Sequence, residues 1–373
     1  MFSFIPLQYY TAVFHFIIFI IVIIVVLNIN KNLGYDLATN ALSKTGSLLL
    51  LAFVILYIGL RPVSGAYFGD MGNYARYFGY YHDGYSVAGD KGDIIFNNYM
   101  KVCSAIMDVQ TWFLLTAFIY VGSMYWACKR MLPQYLLIAF LMCITAFSFW
   151  SFGTNGIRNG MAISLVFLAL SFVKPKKKYL TPNLFALLLC FLAMGIHKST
   201  ILPIFAAGAA VFYTDTRRYI YFWVACIVLS LLLGGFWENF FSNFGFGDKD
   251  RMSDYLLNQE YAEQFTSTGF RWDFLLYSMV PIVLGWHVVV KRKKRDSFYL
   301  LLLNTYIFAN AFWILVIRSS FSNRFAYLSW FLYPIVLIYP VLKFNLWKNQ
   351  YSKTGLILFL HFLFTYIMWW LKG

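Results

Sequence analysis

The sequence predicts an all-α, polytopic integral membrane protein of about twelve transmembrane helices with two long outer loops. Three observations lead there. Of 373 residues, 61% are hydrophobic and 12% charged, against about 25% charged in an ordinary soluble domain. Apolar runs of 15 to 22 residues recur from end to end, each at or near the ~20 residues of helix that cross a hydrocarbon core. Alternating apolar and polar strand patterns are absent, which argues against an outer-membrane barrel. Lipid offers no hydrogen-bonding partner to a backbone, so the apolar runs are expected to be helical.

The candidate spans are 9–29, 46–61, 111–128, 133–151, 156–173, 179–195, 199–214, 219–236, 272–290, 298–317, 325–342 and 354–371. The first follows no basic n-region and reads as a span, not a removed signal. The shortest are 46–61, 179–195 and 199–214, and the last two are expected to be tilted, or partly re-entrant where protein covers them. No internal repeat is visible, and the whole of 1–373 reads as one membrane domain. Five scattered cysteines suggest neither a disulfide framework nor a metal site.

Charge orients the chain. Lys31/Lys44, Lys129/Arg130, Lys174 to Lys178, Arg217/Arg218, Lys291 to Arg295 and Lys343/Lys348/Lys353 alternate with the spans onto one side. That side holds 18 basic and three acidic residues, a net +15; the other holds 12 and 12, net zero. The positive-inside rule makes the basic side cytoplasmic and turns both termini outward. The basic runs are thus a topology signal, and no nucleic-acid partner is implied. Both long loops, 62–110 and 237–271, face outward, and function is expected there.

Loop 62–110 opens with a tyrosine-rich stretch, YFGDMGNYARYFGYYHDGY, in which Asp70, Tyr74 and Arg76 lie close together. Its aromatic rings can anchor at headgroup level or stack on sugar faces. The second part, with Ile95, Tyr99, Val102 and Ile106, reads as an amphipathic surface helix. Loop 237–271 mixes six acids with Lys249, Arg251 and Arg271 around Gly245 and Gly247, the composition of a substrate cover or of a plain solvated loop.

The most unusual feature is a set of basic residues at the outer ends of apolar helices: Arg158 in GTNGIRNGMA, His197 and Lys198 in MGIHKSTILP, and Arg318 and Arg324 in RSSFSNRF. Charge near membrane depth is costly and usually faces a cavity or a partner, the alternative being long side chains that snorkel to lipid phosphate. The glycines around Arg158 expose backbone N–H groups suited to an anion, and an arginine fork suits phosphate. The inferred ligand is a lipid-borne phosphate or diphosphate. A histidine titrates near neutral pH and can act as a general base; Asp70 and an acid of the second loop compete with His197 for that role.

The stretch GTNGIRNGMAISLVFLALSFV, then GIHKSTILP, then SNRFAYLSWFLYP, preceded by DMGNYARYF, resembles the EpsG family of Wzy-type polysaccharide polymerases over roughly residues 65–335. Asn159 departs from the glutamine expected after the arginine. The resemblance implies a C-type glycosyltransferase-like protein that joins oligosaccharide repeat units carried on undecaprenyl diphosphate, without metal or other cofactor. It also allows a separate chain-length regulator as partner. It assigns Arg158, Arg318 and Arg324, with Lys198, to the diphosphate, and His197 or Asp70 to the acceptor hydroxyl. Tyr74, Arg76 and Asn155 fall to the sugar. Rival readings are an O-antigen ligase, a flippase or transporter of lipid-linked oligosaccharide, and a membrane acyltransferase. A transporter should carry charge near the bilayer midplane and pseudo-symmetric halves, and an acyltransferase needs larger cytoplasmic loops than these.

Overall fold

A computed structural model describes residues 4–31, 41–85, 93–175, 180–181, 183–237, 240, 269–319 and 322–372. Most of the second outer loop, 238–239 and 241–268, lies outside the described residues, and so do the lid reading of that loop and the basic run 176–179.

The described chain is helical apart from a two-residue antiparallel pair, Lys174–Pro175 with Leu180–Thr181. In order the helices are α1 (Leu7–Lys31), α2 (Ala41–Gly59), α3 (Gly65–Phe68), α4 (Met71–His82), α5 (Ile94–Ser104), α6 (Val109–Met131), α7 (Leu136–Ile144), α8 (Phe149–Thr154), α9 (Ile157–Leu170), α10 (Leu184–Ile196), α11 (Ile201–Phe212), α12 (Thr216–Leu233), α13 (Trp272–Gly285), α14 (Ser297–Leu315), α15 (Ser322–Trp330), α16 (Tyr333–Lys343) and α17 (Gln350–Lys372). A π-helical turn, Trp286–Lys291, continues α13.

Among the described residues seven stretches are long and apolar enough to cross a membrane: Leu7–Ile29, Val109–Met131, Thr216–Leu233, Trp272–Lys291, Ser297–Leu315, Ser322–Lys343 and Gln350–Leu371. Five shorter apolar helices, Ser43–Gly59, Pro133–Ile144, Ile157–Leu170, Leu184–Ile196 and Lys198–Phe212, fall on the remaining candidate spans. At ~1.5 Å per residue the 13 residues of α10 reach only about 20 Å.

Two candidate spans are broken. Span 133–151 ends at Ile144, where the Thr145 hydroxyl donates back to Leu141 O (2.7 Å), and the chain restarts as α8. Span 325–342 divides at Phe331 and Leu332. Pro334 lies in the first turn of the helix that follows, where its missing N–H costs nothing.

The chain forms two compact units, Met1–Ser171 with Ala186–His197 and Val341–Gly373, and Phe172–Phe185 with Lys198–Pro340. In the first, α1 packs on α17, α2 on α6, and α6 on α9. Helix α9 is buried on all sides from Gly160 to Leu170. The Asp108 carboxylate caps α6, accepting from the backbone N–H groups of Gln110 (2.8 Å) and Thr111 (3.0 Å). These bonds, with the Thr111 hydroxyl, hold its carboxyl below the usual carboxylate range. In the second unit α14 is the central helix, with 78% of its apolar window buried against α11, α12 and α15.

The described residues of the first outer loop are largely helical. Helix α5 turns Phe96, Met100 and Cys103 inward, with Phe96 edge-on to Tyr74 (5.7 Å) and Trp112 (6.0 Å). Ile94, Val102 and Ile106 form its exposed apolar edge. Ile95 and Tyr99 do not share that edge: Ile95 lies against Gly195, and Tyr99 bonds to Thr116 at 3.0 Å. The apolar surface of α5 is therefore narrower than the sequence spacing predicts, because Ile95 lies against α10 and Tyr99 is tied to α6.

Candidate functional site

The candidate site of the first unit is built on a carboxylate. Asp93 immediately precedes α5, and its side chain is 7% exposed. Arg158, in the first turn of α9, donates from Nη1 to Asp93 Oδ2 at 2.8 Å. His197, just past the end of α10, places Nδ1 3.2 Å from the same oxygen. Arg158 and His197 are 15% and 22% exposed, so the cluster is sheltered without being sealed. An ion pair in such a place is short and charge-assisted, and breaking it strands a charge.

Local sequence explains the convergence. Helix α5 comes so close to α10 that a Cβ on Gly195 would collide with Ile95; only glycine admits this approach two residues before His197. The Asn155 side chain, in the turn between α8 and α9, accepts the backbone N–H of Asp70 at 2.9 Å. Gly69 beside it has φ +55°, a left-handed conformation natural to glycine, and a Cβ there would sit 2.5 Å from Asn155 Oδ1. The first outer loop is thus tied to the Arg158 turn at two places.

The expected residues distribute unevenly. Arg158, His197, Asn155 and Asp70 all belong to the first unit, and Arg158 and His197 meet on Asp93. The Asp70 side chain makes no capping bond to α4. Asp70, Tyr74 and Arg76 do not converge: α4 turns the Tyr74 ring inward, 8% exposed, and leaves Arg76 outside, bonded to Asn73 Oδ1 at 3.1 Å and over the Tyr77 ring. Lys198, Arg318 and Arg324 belong to the second unit and are exposed. There Arg318 lies 5.7 Å from the Phe270 ring centroid. Arg271 forks onto Asp273 at 2.9 and 2.6 Å, with Phe274 beneath its guanidinium.

Asp93 is the residue that sequence reasoning missed. An acid directly before an amphipathic helix reads as an N-cap, yet it makes no such bond and turns to the cations instead. The signal that could have found it is the demand of Arg158 and His197 for a counter-ion.

No curated protein and no solved structure matches the chain. The sequence profile of the EpsG family matches residues 46–373, a range that takes in every element of this site, and the chain belongs to the EpsG family.

Proposed function

We propose that this chain is a polysaccharide polymerase of the bacterial inner membrane, with all twelve apolar helices crossing the bilayer. It joins undecaprenyl-diphosphate-linked repeat units on the extracytoplasmic face. The observation that carries the reading is the convergence of Arg158 and His197 on Asp93: a cation suited to phosphate and a titratable imidazole stand side by side at the end of a buried helix. Family membership supports the reaction class, and the +15 against zero charge division supports the side.

In this mechanism a hydroxyl on the non-reducing sugar of one lipid-linked unit attacks the anomeric carbon of the chain carried by a second lipid. The bond from that carbon to the diphosphate oxygen breaks, and the diphosphate leaves with the electron pair. Arg158 stabilises the developing negative charge, with Lys198, Arg318 and Arg324 as further diphosphate ligands. His197 or Asp70 takes the hydroxyl proton. Arg76 and Asn155 meet the sugar, and Tyr74 supports them from within.

The test is a gel of surface polysaccharide from a strain lacking the gene, complemented with wild type or Arg158→Ala. A ladder that collapses to a single repeat unit, and returns with wild type only, is expected. Complete loss of polysaccharide with lipid-linked units accumulating would instead indicate a ligase or a flippase.

A further inference from the structure

Arg61 lies outside the cluster just described and is 1% exposed, among the largest fully buried side chains of the chain. Among the described residues no carboxylate pairs with it. Its guanidinium donates through Nη1 to Ile58 O and through Nη2 to Thr154 O at 2.9 Å. Phe68 and Phe113 rings lie 5.6 and 5.4 Å away, and its Nε has no hydrogen-bond partner. The backbone of the same residue is also held, since Gln110 Nε2 donates to Gly59 O (2.8 Å) and Arg61 O (3.1 Å).

Burying a cation without a carboxylate is costly, and an apolar side chain of similar volume would fill the space more cheaply. What an apolar residue cannot do is bond two helix ends at once. Ile58 is in the last turn of α2 and Thr154 is the last residue of α8. Carbonyls there lack intrahelical donors and carry the negative end of the helix dipole. A planar fork reaches both; a lysine, with one ammonium on a flexible stem, does not reproduce that geometry.

We propose that Arg61 is a positioning residue for the candidate site, clamping the turn from which Asn155 and Arg158 project. Its bond to Thr154 O falls one residue before Asn155 and four before Arg158. With Asn155 to the Asp70 N–H and Arg158 to Asp93, the turn is tied to three separate points of the chain between residues 61 and 93. The clamp acts on reactivity by holding Arg158 still, and misplacement of a reacting group by about 1 Å costs on the order of 100-fold.

For its activity readout the inference rests on the polymerase reading, so the test includes a measurement independent of it. Wild type, Arg61→Lys and Arg61→Met are purified in detergent. Backbone hydrogen exchange is followed over 150–160 and over α6, and turnover of a lipid-linked repeat unit is assayed on the same samples. Methionine removes the buried charge and keeps the packing, so that variant is expected to fold even if lysine does not. The expected result is faster exchange confined to 153–158 in both variants, with kcat lowered about 10- to 100-fold and KM little changed. Localised exchange in the variants alongside a wild type that turns over no lipid-linked unit would support the clamp and sink the polymerase reading. Full activity in Arg61→Lys, unchanged exchange at 153–158, or exchange rising equally throughout α6 would each overturn the clamp.

Discussion

The ionic cluster of the first unit and the hydrogen-bond network of the second are polar in opposite ways. In the first, Asp93, Arg158 and His197 are charged or titratable, sit at helix ends and keep between 7% and 22% exposure. In the second, the polar network is neutral and fully enclosed. Asn310 Oδ1 accepts from Trp223 Nε1 at 2.8 Å, and its amide donates to Ser278 (3.2 Å) and Ser329 (3.0 Å). Trp330 Nε1 also donates to Ser278 at 2.7 Å, and Thr216 donates to Asn304 Oδ1 at 2.8 Å. Asn304, Asn310, Ser278 and Ser329 are all 0% exposed. Neutral hydrogen bonds of this kind join helices in lipid, whereas charge is tolerated where it has a partner and a task. The difference separates a sheltered ionic cluster at helix ends from an enclosed neutral network between helices.

Four substitutions break or sharpen that contrast. Arg158→Lys, which keeps a cation on Asp93 but loses the fork that suits phosphate, should abolish long chains while membrane abundance of the protein stays near wild type, read by polysaccharide gel and immunoblot together. Asp93→Asn comes next. It leaves Arg158 and His197 without their carboxylate, and loss of one partner from a buried pair costs about 3–5 kcal/mol. Chain length and detergent thermostability should fall together, and a variant with normal chains would remove Asp93 from the site. Gly195→Ala should force Ile95 away and lengthen the Asp93 to His197 approach, lowering activity about tenfold or more with a small loss of stability. Asn310→Leu should show the reverse pattern. A loss of about 1–2 kcal/mol in stability should leave activity per folded molecule unchanged; if turnover fell while stability held, the neutral network would not be merely adhesive.

Much of this was legible in the sequence, for a physical reason. A charged residue inside an apolar run is conspicuous because lipid penalises it, so Arg158 and His197 stand out from composition alone. The apolar runs likewise announce the helices, since nothing else satisfies a backbone in hydrocarbon. What stays hidden depends on contacts between distant segments. Asp93 lies in a polar stretch where an acid draws no notice. Arg61 ends a candidate span, where an arginine ordinarily reads as a headgroup anchor. Tyr74 belongs to a row of tyrosines, and its spacing alone cannot tell an inward ring from an outward one. The break after Ile144 falls within an apolar run, where hydropathy gives no sign of it.

Asn155 and Gly69 have a practical consequence for anyone altering this protein. The amide of one occupies the space that a side chain on the other would need, and the same amide fixes the next peptide group. A library that randomises 155 while holding glycine at 69 keeps the hydrogen bond only where the new side chain offers an acceptor oxygen of the same reach. A library that randomises 69 alone meets both a forbidden backbone angle and an occupied site. A change at 155 frees the space beside 69 but leaves its positive φ, so glycine at 69 is needed whatever stands at 155.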